Sequence, residues 1–278
     1  MENWEVFEQH ATKCLNSKFK KYGLSFKPTG GKDSNTSDIL VQISSNDNLF
    51  SIEAKLSPAQ CGQFVINENG DSFELTNKSR LSNNYTKTII DHINENLKEY
   101  TKNNPKYFDL NCNQKLLYQW IHEHYKNKNS LFFVTSTLTS GYISIISLDS
   151  LQKFFNFSAR LRVKKSGTRN ISKKSSKSIL AELDKHLNKL GITKFKYITN
   201  GNKTIVRIDG EIKEIDYKNR YFGNNTFLSK EENKSDYSVK IRSSTNNINV
   251  VFSIQYIGPK KDYGEEDFLN FLKSNKVI

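Results

Sequence analysis

Two short apolar runs, Ser37-Asp38-Ile39-Leu40-Val41-Gln42-Ile43 and Phe50-Ser51-Ile52-Glu53-Ala54-Lys55, are parted only by the polar cluster Ser44-Ser45-Asn46-Asp47-Asn48. Runs this short, rich in Ile, Val, Leu and Phe and split by turn-forming residues, predict two antiparallel strands joined by a hairpin. A two-residue turn at Ser45-Asn46 sets Ile39 opposite Ile52, Val41 opposite Phe50 and Asp38 opposite Glu53. One face of the hairpin is then apolar and can be buried, while the other carries Asp38, Ser51, Glu53 and Lys55. Side chains directly opposite each other stand about 4.5–5.5 Å apart at Cβ. Glu53 and Lys55, two apart on a strand, project from one side.

Two carboxylates and an amine at one strand end suit phosphodiester hydrolysis, which needs a hard cation to offset charge on phosphorus and a poised water as nucleophile. Asp38, Glu53 and the Ala54 backbone carbonyl would hold Mg²⁺, with Mn²⁺ able to substitute. Lys55 would orient or help deprotonate the water, a role suited to an amine whose pKa can be lowered by its surroundings. The same three side chains can also form a simple exposed ion pair on a hairpin, and an acidic residue followed by E-x-K arises readily by chance.

The run Gly30-Gly31-Lys32-Asp33-Ser34-Asn35-Thr36-Ser37-Asp38-Ile39, then Ile52-Glu53-Ala54-Lys55, then Ala59-Gln60-Cys61-Gly62-Gln63-Phe64, resembles the PD-(D/E)XK nucleases and, within them, a bacterial type II restriction endonuclease. The likeness spans roughly residues 28–66. The family's proline before the aspartate is Ser37 here, and Asp33 competes with Asp38 only weakly because no apolar strand follows it directly.

After Lys55, Ser57 can cap a helix, Pro58 fits its first position, and Gln60 and Gln63 fall three apart on one helical face. In the resembling nucleases such a helix presents polar groups to the metal water or the scissile phosphate, which makes Gln63 and Gln60 site candidates beside the plainer reading as surface amides. The first helix, Trp4 to about Lys21, carries Glu5 and Glu8; many relatives place a glutamate from such a helix near the metal, here Glu8.

Charge bears on the partner. Lys and Arg number 42 against 29 Asp and Glu, a formal charge of +13, and this excess favours an anionic partner, nucleic acid first, because clustered cations release counterions from phosphates. A chain heavy in Asn, Lys and Ile can also owe its lysines to A·T-rich coding, so location outweighs total. From Arg160 to Lys177 the chain holds Arg160, Arg162, Lys164, Lys165, Arg169, Lys173, Lys174 and Lys177, with no acidic residue between Phe157 and Glu182. Arg160, Arg162 and Lys164 alternate as on one strand face, and Ser166-Gly167-Thr168 supplies small donors that can approach a phosphate closely. This is the expected DNA-contacting segment; the alternative is a solvated loop.

Cys14, Cys61 and Cys112 are odd in number and widely spaced, against a disulfide framework or a zinc site. His122 and His124, two apart on a helix, point in different directions and are assigned no metal. Gly30-Gly31 lacks any nucleotide-binding context. With no basic head followed by an apolar stretch, and no run of 18 apolar residues, a cytoplasmic protein without membrane contact is expected.

Further along, the patterns predict a short helix from 58, helices near 83–101 and 113–126, strands at 131–137 and 142–147, a short helix at 148–155, a helix at 176–190 stopped by Gly191, a hairpin about Asn200-Gly201, strands at 238–242 and 249–257, and a closing helix at 265–273. Leu131-Phe132-Phe133-Val134 reads as a fully buried central strand. The expected architecture is one α/β domain over 1–278: a restriction-endonuclease-like core at about 1–157, with a central mixed β-sheet flanked by helices and the site at one edge, and a β-rich DNA-contacting half at about 158–278.

The resemblance implies a Mg²⁺-dependent type II restriction endonuclease hydrolysing double-stranded DNA at specific sequences, a homodimer to match palindromic targets, and a cognate DNA methyltransferase as system partner. A repair nuclease or junction resolvase of the same fold, and a non-catalytic DNA-binding protein in which the carboxylates are incidental, are the other readings.

Overall fold

The computed structural model describes residues 3–29, 36–43, 47–77, 79, 81–97, 107–137, 141–165, 167–171, 173–209, 214–223, 225–231, 233 and 235–278. The chain forms two compact units, Met1–Arg162 with Ile248–Ile278, and Val163–Asn247.

In the first unit, apolar residues four apart at Phe7, Ala11, Leu15 and Phe19 make one stripe along helix α1 (Asn3–Phe19), and all four are buried. Such a stripe is stable only against an apolar surface. The hairpin supplies it. Strands β1 (Leu24–Pro28), β2 (Ile39–Ile43), β3 (Asn48–Ser57), β7 (Ser130–Thr137) and β8 (Ser144–Ser147) form a sheet in the order β1-β2-β3-β7-β8. β3 runs parallel to β7 and the other pairs are antiparallel, so the sheet is mixed.

Ile39 faces Ile52 and Val41 faces Phe50, the register expected from the sequence, before a shift brings Gln42 opposite Asn48. The Ser45-Asn46 turn lies outside the described residues. Ile39, Val41, Phe50, Ile52, Ala54, Phe132 and Val134 share a core with α1 and with Phe268 and Leu272 of α6 (Glu265–Ser274). On the other side Phe133 joins Trp120, Ile121 and Tyr125 of α3 (Gln114–Asn127). The run Leu131 to Val134 is therefore packed on both faces, as its unbroken apolar character requires. Each of these large side chains contributes about 1.5–3 kcal/mol by leaving water. The expected edge position of the site does not hold: β1 lies outside β2, so Glu53 and Lys55 stand on the third of five strands.

A second sheet, in this unit up to Arg162 and from Ile248, has the order β5-β4-β15-β9-β6, from β4 (Ala59–Asn69), β5 (Ser72–Leu75), β6 (Tyr107–Leu110), β9 (Phe155–Lys165) and β15 (Asn246–Tyr256). β4 corrects the sequence reading, which made this segment a helix. Cys61 and Phe64 are both buried in one core although three apart, a spacing that imitates a helix. A bulge produces it. Gly62 pairs with Phe252 while Gln60 pairs with Ser253, leaving Cys61 as the extra residue. Gly62 has φ of 137°, and a Cβ there would stand 2.8 Å from Trp120 Cζ3, so the position needs glycine on both counts. Helices α2 (Thr86–Glu95) and α4 (Leu151–Phe154) complete the unit.

The unit Val163–Asn247 contains β10 (Thr168–Asn170), β11 (Phe195–Asn200), β12 (Lys203–Ile208), β13 (Thr226–Lys230) and β14 (Asp236–Arg242) in the order β10-β14-β12-β11, with β13 also on β14. Asn200 faces Lys203 across the expected tight turn. Leu183 and Leu187 of helix α5 (Lys173–Lys189) pack on Val206, Leu228, Tyr237 and Val239. Gly191, with φ of 77°, follows the helix end as the sequence suggests. Among the described residues no helix is long and apolar enough to cross a membrane.

Candidate active site

Strand alternation and sheet pairing bring the three residues singled out in the hairpin into one group. Asp38 immediately precedes β2, where its carbonyl accepts from the Thr29 amide at 2.9 Å. Its Oδ2 accepts from the Ala54 backbone amide at 3.0 Å and from Lys55 Nζ at 2.8 Å. Lys55 Nζ also lies 2.7 Å from Glu53 Oε2, so one ammonium bridges both carboxylates. In an extended strand the amide and carbonyl of one residue point to the same edge. The Ala54 carbonyl therefore faces the same edge of β3 as its amide.

The group is removed from water: the Glu53, Asp38 and Lys55 side chains retain 2%, 14% and 15% of their exposure. Burial is the main cause pushing the Glu53 carboxyl above its ordinary range, with Asp38 adding to it and Lys55 opposing. The surroundings of Lys55 move its pKa upward. Burial alone would depress the ammonium, but Tyr125, Glu53 and Asp38 outweigh it and hold the group well above its usual value.

Glu8 of α1 belongs to the same electrostatic neighbourhood. Its pKa rises to about 7, through burial first and then through Asp38, with Lys55 opposing and Glu53 adding. Two lysines answer these three carboxylates, Lys55 and a residue the sequence reading missed. Lys128 Nζ lies 3.9 Å from Glu53 Oε1 and 5.3 Å from the centre of the buried Tyr125 ring. Ser130 donates to Glu53 Oε1 at 3.3 Å, and the Ser37 and Ser130 hydroxyls are 2.7 Å apart. Lys128, Ser130 and Tyr125 lie more than seventy residues from Glu53 and no local spacing marks them; they arrive through α3 and the parallel pairing of β7 with β3. Two converging carboxylates and a backbone carbonyl aimed at the same edge are hard oxygen donors, and the negative excess among Glu8, Asp38 and Glu53 fits a divalent cation. Among the described residues no group of three or more His, Cys, Asp and Glu side chains is placed to hold a metal ion, so the candidate donors are the Asp38–Glu53 pair and the backbone carbonyl.

Gln60 is exposed and Gln63 half-buried on β4, where a bulge and not a helical turn separates them. Arg160 and Arg162 do alternate with buried Ala159 and Leu161 on β9, but Arg160 is paired with Asp109 at 2.6 Å, an acid from a distant part of the chain. In the second unit Lys164, Lys165 and Arg169 are exposed, and Lys165 Nζ donates to the Ser244 carbonyl at 3.3 Å. Ser166 and the side chains of Lys173 and Lys174 lie outside the described residues.

The sheet is mixed and lies between helices, with Glu53 and Lys55 on its central strand and Asp38 just before the neighbouring one. Among solved structures, the HhaI endonuclease in complex with DNA is similar at 33% sequence identity and a TM-score of 0.69, over 94% of this chain and 93% of that one. No protein-family model and no curated protein matches. The chain belongs to the HhaI endonuclease family.

Proposed function

We propose that this protein is a type II restriction endonuclease of the PD-(D/E)XK kind, a Mg²⁺-dependent enzyme that hydrolyses phosphodiester bonds of double-stranded DNA at a specific sequence. The observation that carries the reading is the convergence of Asp38 and Glu53 on Lys55 at 2.8 and 2.7 Å in a chain one-third identical to an endonuclease solved with DNA.

Asp38, Glu53 and the Ala54 carbonyl would hold the cation, which when bound supplies Lewis-acid stabilisation of the charge developing at the scissile phosphate. Lys55 donates hydrogen bonds: it orients the attacking water and offsets charge on the phosphate oxygens. Ser130 and Lys128 hold Glu53 in place. The buried Tyr125 ring excludes water from beneath the two ammonium groups, which strengthens every charge interaction above it. A palindromic target would be matched by a homodimer, and a cognate methyltransferase would protect the host's own sites.

The test is digestion of several unmethylated DNAs with Mg²⁺. Discrete, reproducible fragments are expected from the wild type and none from Glu53→Ala. Binding without any cleavage would replace the enzyme by a DNA-binding protein, and cleavage confined to branched DNA would replace it by a junction nuclease.

A further inference from the structure

We propose that Asn170, Lys240 and Arg242, with the Tyr221 and Phe227 rings against the guanidinium, form a DNA-contacting patch of the Val163–Asn247 unit. The inference rests on the endonuclease reading and adds to it the residues that meet the duplex. Val239, Tyr237 and Leu228 point toward α5 and are buried there, so alternation turns Lys240 and Arg242 of β14 to the opposite face. Asn170 and Phe227 each face Lys240 across their strand pairs. Lys240 Nζ donates to Asn170 Oδ1 at 2.8 Å.

Arg242 is held from two sides. Its guanidinium lies 4.9 Å from the Tyr221 ring centre and 5.6 Å from that of Phe227, rings that stack on each other at 5.6 Å, and one of its amino groups donates to the Tyr221 hydroxyl. A guanidinium carries five N–H donors, so this arrangement fixes the plane while leaving donors for a ligand. Fixing it beforehand lowers the entropy lost on binding.

The patch differs from β11 and β12 of the same sheet in how its charge is answered. Arg207 pairs with Asp236, Lys196 with Asp209 and Lys203 with Glu231. Lys240 and Arg242 instead meet an amide, a hydroxyl and aromatic faces. Among the described residues neither has a carboxylate partner. Two half-buried cations two residues apart on one strand face, with neutral partners only, are repulsive until an anion arrives. A planar, preset guanidinium beside an ammonium and an amide suits phosphates and base edges of DNA.

The experiment measures fluorescence anisotropy of a labelled random-sequence duplex over a NaCl series, with cleavage followed separately. Arg242→Ala and Lys240→Ala are each expected to weaken binding about five- to tenfold and to lower the slope of log affinity against log salt by about 0.9. Lys185→Ala, at an exposed position of α5, is expected to change neither. Arg242→Lys keeps the charge and is expected to retain the salt slope; thermal melting of each variant identifies misfolding, and where Arg242→Ala misfolds, Lys240→Ala decides. Folded Lys240→Ala and Arg242→Ala with wild-type affinity and slope overturn the patch alone if the wild type still cuts DNA. A wild type that binds no duplex, or that binds anionic phosphatidylserine vesicles instead, overturns both the patch and the endonuclease reading.

Discussion

The hydroxyls of Ser37 and Ser130 lie 2.7 Å apart across 93 residues of sequence, and Ser130 donates onward to Glu53 Oε1. Ser37 precedes Asp38 in the chain, so this pair ties the backbone carrying one carboxylate to the side chain of the other.

Removing the tie tests its worth. Ser130→Ala leaves Glu53 with Lys55 and the more distant Lys128, and it is expected to lower cleavage about tenfold while raising the Mg²⁺ concentration needed for half-maximal rate. The lost buried hydrogen bond costs about 1 kcal/mol of stability. Ser130→Thr keeps the hydroxyl and should restore metal dependence; equal Mg²⁺ curves for wild type and Ser130→Ala would contradict the positioning role.

Asp38→Ala, Glu53→Ala and Lys55→Ala are each expected to reduce cleavage at least about 10²-fold, in the range set by loss of a positioned acid–base or charge-stabilising group. Binding to DNA should persist, and loss of a carboxylate facing phosphate can tighten it. Gel-shift and single-turnover cleavage on the same preparations separate the two effects. Wild-type turnover in Asp38→Ala would remove that residue from the mechanism.

Metal choice follows from the donors. Oxygens alone select hard cations, so Mg²⁺ and Mn²⁺ should support cleavage, whereas Ca²⁺, with its larger and looser shell, should support binding without efficient cleavage. Excess EDTA should stop the reaction and added Mg²⁺ restore it; cutting that persists in EDTA would exclude the proposed role of the carboxylates.

His124 makes stability depend on pH. It is buried and stacked on Trp120 with ring centres 5.1 Å apart, and burial first, then Lys128 and Lys55, lower its pKa from 6.5 to about 4. Between these values the unfolded chain binds a proton that the folded one refuses, so stability falls as pH drops below about 6.5 and the loss levels off near 4. From pH 7 to 5 the contribution lost is about 2 kcal/mol. Denaturant unfolding should show this decline in the wild type and a shallower one in His124→Gln. Parallel declines would assign the acid sensitivity to other groups.

Much of the site was legible because its logic is local. The matched apolar patterns of the two runs suffice to pair Ile39 with Ile52, and strand alternation puts Glu53 and Lys55 on one side, where they make an ion pair. The four-residue spacing from Phe7 to Phe19 likewise specifies α1 with no knowledge of its partner.

What the chain could not declare locally was decided by distant pairings. Gln60 and Gln63 read as one helical face, yet β15 hydrogen-bonds this segment into a strand, and the bulge at Gly62 brings Cys61 and Phe64 into the same core. Arg160 looked unopposed along the sequence until β6, paired with β9, carried Asp109 to it. The direction in which its surroundings move the Lys55 pKa was not written locally: Tyr125, Glu53 and Asp38 raise it. Hairpin register and helical periodicity arise from steric and hydrogen-bonding rules over a few residues and are therefore written in the sequence itself. Charge compensation, desolvation and a strand's choice of neighbour depend on groups tens of residues away, and these only the tertiary structure determines.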